Sequence, residues 1–557
     1  MGRTAQGDTE IKRSNTAMAR TFLSRPMQQA LDDGLLADRT VFDYGCGRGD
    51  DIRNLNALGI TSSGWDPAHN PDATTSPADV VNLGFVVNVI EDQTERRQVL
   101  LNAWELARDL LVVSGRLTWE NDLTETKRFA DGVLTASGTF QKFYTHEELK
   151  AWVETHLDGH VRTAAPGILY VFRERSAEQH LLARQTRSGH NRRRAVAEIL
   201  SDRHATTLNP LHEFVTEQRR LPNPTEVATS AELVDIFGSI KDAFYILRAA
   251  SPTIDWPDIG GSTQTKSRRR FEQNLDILQP LVDFLTERGR LPKDSELASS
   301  QEVSDEFGSI RQAFTLIRRV TGPDVWEEHA AKAREDFLVY CALSAFGGRP
   351  KLSDMPDDLQ ADAKDLFGSY KAARSEADEL LYSIADMNKI ESACQDAPIG
   401  KLTPEALYIH VDYLCDLPPI LRVYDGAARQ LTGNVDDATL VKLNRLKPQV
   451  SYLVYPTFDI EPHPALKYSI VGKLSEARMK HRSFADSNNP PILHRKESFL
   501  AEDDPRWGRF ARLTRQEASA GLLDRSDIGT ESGWNLVLRA SGYHLKGHVL
   551  QASRSRR

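Results

Sequence analysis

Residues 41–49 read Val41-Phe42-Asp43-Tyr44-Gly45-Cys46-Gly47-Arg48-Gly49. The apolar start predicts a β-strand, and the alternate glycines predict a tight turn after it, because glycine adopts backbone conformations that other residues avoid. A second short apolar segment, 64–66, predicts a neighbouring strand that ends in the carboxylate of Asp66. The turn's N–H groups and this carboxylate together favour a nucleotide-like ligand at the edge of a parallel sheet.

Residues from about 15 to 175 alternate strand-like and helix-like segments. The predicted strands are 40–44, 64–66, 79–83, 110–113, 160–164 and 168–172, and the predicted helices are 50–58, 94–109 and 147–156. Such alternation is typical of a mostly parallel sheet that helices cover on its faces. We therefore predict a Rossmann-like α/β domain over residues 1–178.

Composition restricts the class of protein. The length of 557 residues allows roughly three or four domains. No apolar run reaches the roughly eighteen residues of a transmembrane helix, and no signal core follows Met1, so we expect no membrane association. The four cysteines are scattered and form no Cys-x-x-Cys pair. This pattern favours a reducing cytoplasm over a disulfide framework or a zinc knuckle, and we predict no bound metal.

The acid that precedes the glycines separates this turn from the dinucleotide fingerprint Gly-x-Gly-x-x-Gly. The pattern Asp-x-Gly-x-Gly-x-Gly resembles the first motif of class I S-adenosylmethionine-dependent methyltransferases. That resemblance implies S-adenosylmethionine as cofactor, with its amino-acid part over the turn and its ribose on Asp66. A glycine turn with a purely structural role is the alternative. The predicted cofactor-binding residues are Asp43, Gly45, Gly47, Gly49, Asp66, Pro67, Leu83 and Gly84.

Segments near both ends of the chain resemble one bacterial family, the putative methyltransferases associated with DNA phosphorothioation gene clusters. The similar segments are 15–20, 42–51, 64–67, 80–92, 138–142, 490–497 and 510–515. The resemblance implies a role in DNA modification or antiphage defence, with DNA as a partner and other proteins of such an operon as possible partners.

The region after Asp66 departs from the methyltransferase pattern. Only thirteen positions separate Asp66 from Asp79, where most class I methyltransferases have a helix and a further strand. Pro67, Pro71 and Pro77 disfavour a helix there. We therefore predict an abbreviated sheet.

The methyl acceptor is not apparent from the motifs. Amino-methylating DNA enzymes carry Asn/Asp-Pro-Pro-Tyr/Phe after the fourth strand, where this chain has Leu83-Gly84-Phe85-Val86. The Pro-Cys dipeptide of cytosine-carbon methylation is also absent. We leave the catalytic group unassigned, with Asn88, Glu91, Gln141 and Lys142 as candidates.

The middle of the chain repeats. Residues 237–244, Phe-Gly-Ser-Ile-Lys-Asp-Ala-Phe, recur at 307–314 and, more weakly, at 367–373. We predict an α-helical region over 179–385 with three units near 205–250, 275–320 and 333–382. Serines 239, 309 and 369 should cap a helix in each unit, and Phe237 and Phe244 should lie in a small core.

These units weakly resemble helix-turn-helix repeats found beside homing endonucleases. Because the net charge is −9, any nucleic-acid contact must come from local basic clusters. DNA binding is slightly favoured over a spacer with solvated charges. The candidate DNA-binding residues are Arg192, Arg193, Arg194, Lys241, Arg268, Arg269, Arg270 and Arg311.

Residues 386–557 form the third predicted domain, with strands at 407–411 and 450–455 and an α+β character. Its site candidates are His463, His494, Arg495, Lys496 and Glu497. These residue types occur in metal-dependent phosphodiesterases. No nuclease spacing is present, so histidines that satisfy hydrogen bonds within a folded domain are the favoured interpretation.

Three hypotheses follow. The first is a cytoplasmic S-adenosylmethionine-dependent methyltransferase that acts in DNA modification or defence, with DNA as its expected substrate. The second is a non-catalytic protein that senses the cofactor and binds DNA or partner proteins. The third adds a defence nuclease in the C-terminal domain.

Overall fold

The computed structural model describes residues 11, 13–16, 19–121, 126–187, 201, 204–237, 239–251, 254–257 and 266–552. The chain divides into two compact units. Unit 1 comprises residues 1–185, 341–356 and 377–557, and unit 2 comprises residues 186–340 and 357–376. The three domains expected from the sequence, with boundaries at 178 and 385, stay a prediction.

The N-terminal part of unit 1 is an α/β fold. Its helices are α1 (Arg25–Asp32), α2 (Asp50–Ala57), α3 (Gln93–Leu106), α4 (His146–His156) and α5 (Arg175–Thr186). Its main strands are β1 (Val41–Tyr44), β2 (Ser62–Trp65), β3 (Ala78–Gly84), β4 (Ala107–Ser114), β8 (His160–Ala165) and β9 (Ile168–Phe172). These bounds confirm the predicted alternation to within a few residues. A small antiparallel sheet contains β5 (Lys127–Phe129), β6 (Gly132–Leu134) and β7 (Phe140–Gln141).

The main sheet has the strand order β2-β1-β3-β4-β9-β8. The first four strands are mutually parallel, whereas β9 runs antiparallel to both β4 and β8. From β1 the chain reaches β2 on one side and then crosses to β3 on the other. Such a switch opens a crevice beyond the carboxyl ends of the parallel strands. No helix or strand lies between β2 and β3, apart from an isolated bridge between Asp66 and Asn70, which confirms the abbreviated sheet.

The C-terminal part of unit 1 contains a second, antiparallel sheet. Its six strands follow in chain order as β10 (Lys401–Leu402), β11 (Ala406–His410), β12 (Leu440–Asn444), β13 (Gln449–Val454), β14 (Tyr468–Lys473) and β15 (Arg478–Ser483). A further strand pair, β16 (Tyr543–Leu545) and β17 (Leu550–Ala552), lies near the end of the chain. The predicted strands at 407–411 and 450–455 are confirmed as β11 and β13.

The two sheets of unit 1 share one apolar core. Phe42 and Leu111 of the first sheet and Leu443 and Tyr452 of the second belong to the same cluster of buried side chains. The N–H of Asn434 donates to the Ala164 carbonyl at 2.7 Å, just after the helix 419–432. The N-terminal α/β fold and the C-terminal sheet are therefore packed directly against each other.

Helices form the middle of the chain. They are α6 (Ala205–Gln218), α7 (Ser230–Phe237), α8 (Ile240–Ala250), α9 (Lys266–Gln273), α10 (Leu275–Arg288), α11 (Ser300–Phe307), α12 (Ile310–Thr321), α13 (Pro323–Leu343), α14 (Asp357–Phe367) and α15 (Tyr370–Ser383). The C-terminal part adds α16 (Met387–Gln395), α17 (Pro419–Thr432), α18 (Trp507–Ser519) and α19 (Glu531–Ala540). None of the helices in the described ranges is long and apolar enough to cross a membrane.

The repeated sequence gives repeated structure. Each copy has a long helix, an extended turn, a shorter helix and a last helix, as in α6-α7-α8 and α10-α11-α12. Ser309 accepts the N–H of Gln312 and Ser369 that of Ala372, so both cap their helices as predicted. Phe237 and Phe244 are buried in the core of unit 2, also as predicted.

Candidate cofactor cavity and histidine cluster

A cavity of about 290 Å³ lies at the carboxyl ends of β1, β2 and β3, in the crevice that the strand order creates. The glycine turn, the end of β2 and the residues after β3 line it. Of the predicted cofactor residues, all but two contribute to the lining, and these are Asp43, Gly45, Gly47, Asp66, Pro67 and Gly84. Gly49 has φ +73° and precedes α2, and Leu83 is fully buried in the core.

The glycine turn needs its glycines for geometric reasons. Gly45, Gly47 and Gly49 all have positive φ, a conformation that costs little only for glycine. A Cβ on Gly45 would lie 2.5 Å from Cγ2 of Val86. The turn therefore packs against Val86 too closely to allow a side chain at position 45.

Asp66 is held by backbone donors. Its Oδ2 accepts the N–H of Gly47 at 3.0 Å, and its Oδ1 accepts the N–H groups of Ala68 and His69, both at 2.9 Å. A carboxylate has about four acceptor positions, so Asp66 retains capacity for a hydroxyl donor. The position at the end of β2 is thus rigid and still able to accept a hydrogen bond.

Asp43 lies deeper, at the end of β1, and is buried. Asn82 donates its amide to Asp43 Oδ1 at 2.8 Å. Burial, together with the nearby Asp51 carboxylate, raises the pKa of Asp43 to about 7. Asn82 Oδ1 is itself buried and has no hydrogen-bond partner among the described residues. A cation or an N–H donor in the cavity would satisfy both the carboxylate and this amide oxygen.

Two features of the cavity were not predicted from the sequence. Asn82 lines it from within β3, where the sequence shows only an apolar strand. Phe85 also lines it and has φ +58°, a backbone conformation that is unusual for a phenylalanine. The Phe85 N–H donates to the Ser114 carbonyl and lies 3.1 Å from Ser114 Oγ. Residues strained in this way are common at binding sites.

The predicted catalytic candidates lie outside the lining of this cavity. Asn88 and Gln141 bond to each other, and Asn88 is buried. Glu91 forms an ion pair with Arg13. Lys142 is paired with Asp131 at 2.9 Å and with Glu148 at 2.7 Å. These contacts hold the small sheet and its surroundings together, and a catalytic role for the four residues stays a prediction.

The DNA-binding candidates are spread over several positions. Arg192, Arg193 and Arg194 lie outside the described residues, as does the side chain of Arg268. Arg269 and Arg311 are exposed. Arg270 donates to the Glu306 carbonyl and stacks over the Phe307 ring at 4.9 Å, and Lys241 is half-buried. Among the candidates in the described residues, Arg269, Arg270 and Arg311 are exposed, and Arg311 lies near the start of α12.

The C-terminal candidates separate into two groups. His463 and His494 lie together, with ring centroids 4.2 Å apart, and Glu517 of α18 completes a cluster with them. Glu517 is fully buried and was not predicted, because it lies far from both histidines in the sequence. Burial and the nearby His463 lower the pKa of His494 to about 3, so this ring is neutral.

Arg495, Lys496 and Glu497 do not join this cluster. Arg495 is exposed. Lys496 is buried, its ammonium donates to the carbonyls of Phe458 and Glu461, and burial lowers its pKa to about 7. Glu497 accepts the hydroxyl of Thr514. These residues are adjacent in the sequence, but in the structure their side chains contact different partners.

Comparisons with known proteins do not assign this chain to a family. No protein-family model matches the chain, and no curated protein does. One solved structure to which part of the chain is similar is the CcbJ methyltransferase from Streptomyces caelestis. That match has 15% identity and a TM-score of 0.20, and it covers 26% of this chain and 87% of the other. Since a TM-score this low carries no structural argument, the function rests on the chain's own geometry.

Proposed function

We propose that the cavity beyond β1, β2 and β3 binds S-adenosylmethionine and that the protein is a methyltransferase. The observation that carries this proposal is the buried Asp43 carboxylate beside Asn82 Oδ1, which has no hydrogen-bond partner in the described part of the chain. Both line the same cavity as the glycine turn. Both groups are acceptors and suit the ammonium group of the cofactor's amino-acid end. Asp66 supplies an acceptor for the ribose hydroxyls at the other strand end. When bound, S-adenosylmethionine supplies a methyl group activated by its sulfonium.

In this proposal the residues that line the cavity bind the cofactor and orient it. The backbone turn from Gly45 to Gly49 limits where a ligand lies, and Phe85 and Val86 form an apolar wall after β3. Because a sulfonium is already activated, positioning of the acceptor can supply most of the rate. The proposed acceptor is DNA, in a modification or defence setting, in line with the resemblance to phosphorothioation-associated methyltransferases and with the exposed Arg269 and Arg311.

Isothermal titration of the full chain with S-adenosylmethionine tests the cofactor. We expect one site, and we expect the heat to disappear in Asp43→Ala and Asp66→Ala. Absence of heat with the wild-type chain, or equal heat with both variants, would refute the proposal. Transfer of a labelled methyl group to DNA, RNA and protein, measured in parallel, then identifies the acceptor.

A second function is favoured by one observation. The four catalytic candidates Asn88, Glu91, Gln141 and Lys142 lie outside the cavity lining, so the cavity as described contains a ligand-binding set without an assigned catalytic group. A cofactor-sensing protein that binds DNA or partner proteins would need no such group. Titration heat without any methyl transfer to the three acceptor classes would favour this sensor over the enzyme.

A further inference from the structure

Three side chains from separate segments converge in the C-terminal part of unit 1. His463 lies in the loop before β14, His494 lies in the segment after β15, and Glu517 belongs to α18. One potential ligand atom from each lies within 4.8 Å of the others. The site is closed, because the side chains of His463 and Glu517 are only 5% and 1% exposed.

The hydrogen bonds of the two imidazoles fix which nitrogen is free. His463 Nδ1 lies 3.1 Å from the Leu493 carbonyl, and His494 Nε2 lies 2.8 Å from the Ile528 carbonyl. A carbonyl can only accept, so these two nitrogens carry protons. The lone pairs are then on His463 Nε2 and His494 Nδ1. Donation of the second ring N–H to a backbone carbonyl is the usual way in which proteins orient metal-binding histidines.

The free atoms have unsatisfied bonding capacity. His494 Nδ1 and Glu517 Oε2 are both buried without a hydrogen-bond partner in the described part of the chain. Glu517 Oε1 lies 2.7 Å from His463 Nε2, where either a proton or a cation must stand between the two acceptors. Leaving such groups unpaired in the interior is unfavourable, because each loses its hydrogen bonds to water without replacement. A single cation among the three would satisfy them together.

The backbone around the cluster is fixed. The Leu466 N–H donates to the Pro491 carbonyl at 2.8 Å, and the Leu493 N–H donates to the Pro464 carbonyl at 3.0 Å. Trp534 of α19 packs against both imidazole rings, with centroid distances of 4.8 Å. The segments that carry His463 and His494 are thus joined before any ion binds.

We propose that His463, His494 and Glu517 form a zinc site. Two histidines and one glutamate are an established donor set for Zn²⁺, and the oriented imidazoles provide nitrogen ligands. Ligands of a tetrahedral zinc lie roughly 3.3 Å apart, so the present spacing needs only small side-chain rotations. The ion would link Glu517 of α18 to the two histidine segments, which backbone hydrogen bonds already join. A water molecule would take the fourth position.

The test uses the full-length chain without a histidine tag. After treatment with EDTA and its removal, titration with ZnCl₂ should show one tight site per chain. CoCl₂ should give the intense visible absorption of a four-coordinate ion, which a surface site with several waters does not give. No zinc uptake by the stripped wild-type chain, or only the weak spectrum of octahedral cobalt, would overturn the proposal.

Variants locate the site. Glu517→Gln keeps the shape and removes the charge, and His494→Asn removes one nitrogen ligand. Each should weaken zinc binding by more than the roughly 10- to 100-fold that loss of an outer-shell partner costs, because a direct ligand is lost. His544→Asn is the matched control, since His544 is exposed in the same part of the chain, and its binding should equal wild type. Equal affinity in all four proteins would refute the site. If a variant does not fold, the cobalt spectrum of the wild-type chain still decides.

Discussion

The candidate cofactor cavity and the histidine cluster use similar side chains in different surroundings. In the cavity, Asp66 is held by backbone N–H groups and faces open space. In the cluster, Glu517 is fully buried and Trp534 covers the rings beside it. The first arrangement suits a ligand that enters and leaves, whereas the second suits an ion that stays. If both proposals hold, burial decides whether a carboxylate site exchanges its ligand or keeps it.

The largest expected effect concerns Gly45. Gly45→Ala should weaken S-adenosylmethionine binding by about 100-fold or more, because the added methyl displaces Val86 and shifts the turn. Gly59→Ala is the matched control, since Gly59 has a similar φ of +81° and open space around it. The control should lose about 1–2 kcal/mol of stability and keep its binding. Equal binding by the two variants, measured by titration, would contradict the role given to the turn.

The next effect concerns pH and Asp43. Because a cationic ligand requires the ionised carboxylate, cofactor affinity should rise from pH 6 to pH 8, through the pKa of about 7. In Asp43→Asn the affinity should fall about 10- to 100-fold and lose this pH dependence. Titrations at several pH values measure both. An unchanged pH profile in the variant would show that another group controls binding.

The same pKa has a consequence for stability. The folded protein keeps the Asp43 proton above the ordinary value of 3.8, where the unfolded chain has lost it. The stability of the ligand-free protein should therefore fall as pH rises from about 4 to about 7. That fall should be smaller in Asp43→Asn, whereas Asp524→Asn, an exposed control, should behave like wild type. Melting temperatures across this pH range provide the check.

A smaller effect tests whether the cavity and the histidine cluster act independently. Removal of zinc with EDTA should lower the melting temperature by several degrees, because an ion bound only to the folded state stabilises that state. The heat of S-adenosylmethionine binding at 25 °C should stay unchanged, and Gly45→Ala should still take up zinc. Loss of cofactor binding in EDTA would mean that the cavity and the cluster are coupled rather than independent.

The smallest effect concerns DNA. Arg311→Ala should reduce the dependence of log affinity on log salt by about one and leave sequence preference unchanged, as expected for one phosphate contact. Arg525→Ala, at an exposed arginine in unit 1 that pairs with Asp527, is the control. Filter binding at several salt concentrations measures the slope. An equal slope for Arg311→Ala and wild type would exclude this arginine from the interface.

The sequence predicted the elements where the signal is local. The strand 168–172, the helix beginning at Asp50 and the serine caps at 309 and 369 all follow from short runs of residues, and the structure confirms them. The candidates 494–497 show the limit of such reasoning. Four neighbouring polar residues suggested one site, but His494 and Lys496 bond to different groups.

Local steric and capping preferences thus made the glycine turn, the abbreviated sheet and the helical repeats readable from the amino-acid sequence. The contacts inside the two candidate sites, in contrast, depend on packing between segments that are distant in the sequence. Asn82 reaches Asp43 only because β3 pairs with β1, and Glu517 reaches His463 only because α18 folds back onto the loop before β14. The physical reason is that burial and charge pairing depend on neighbours in space, and a fold of this length brings together residues more than fifty positions apart.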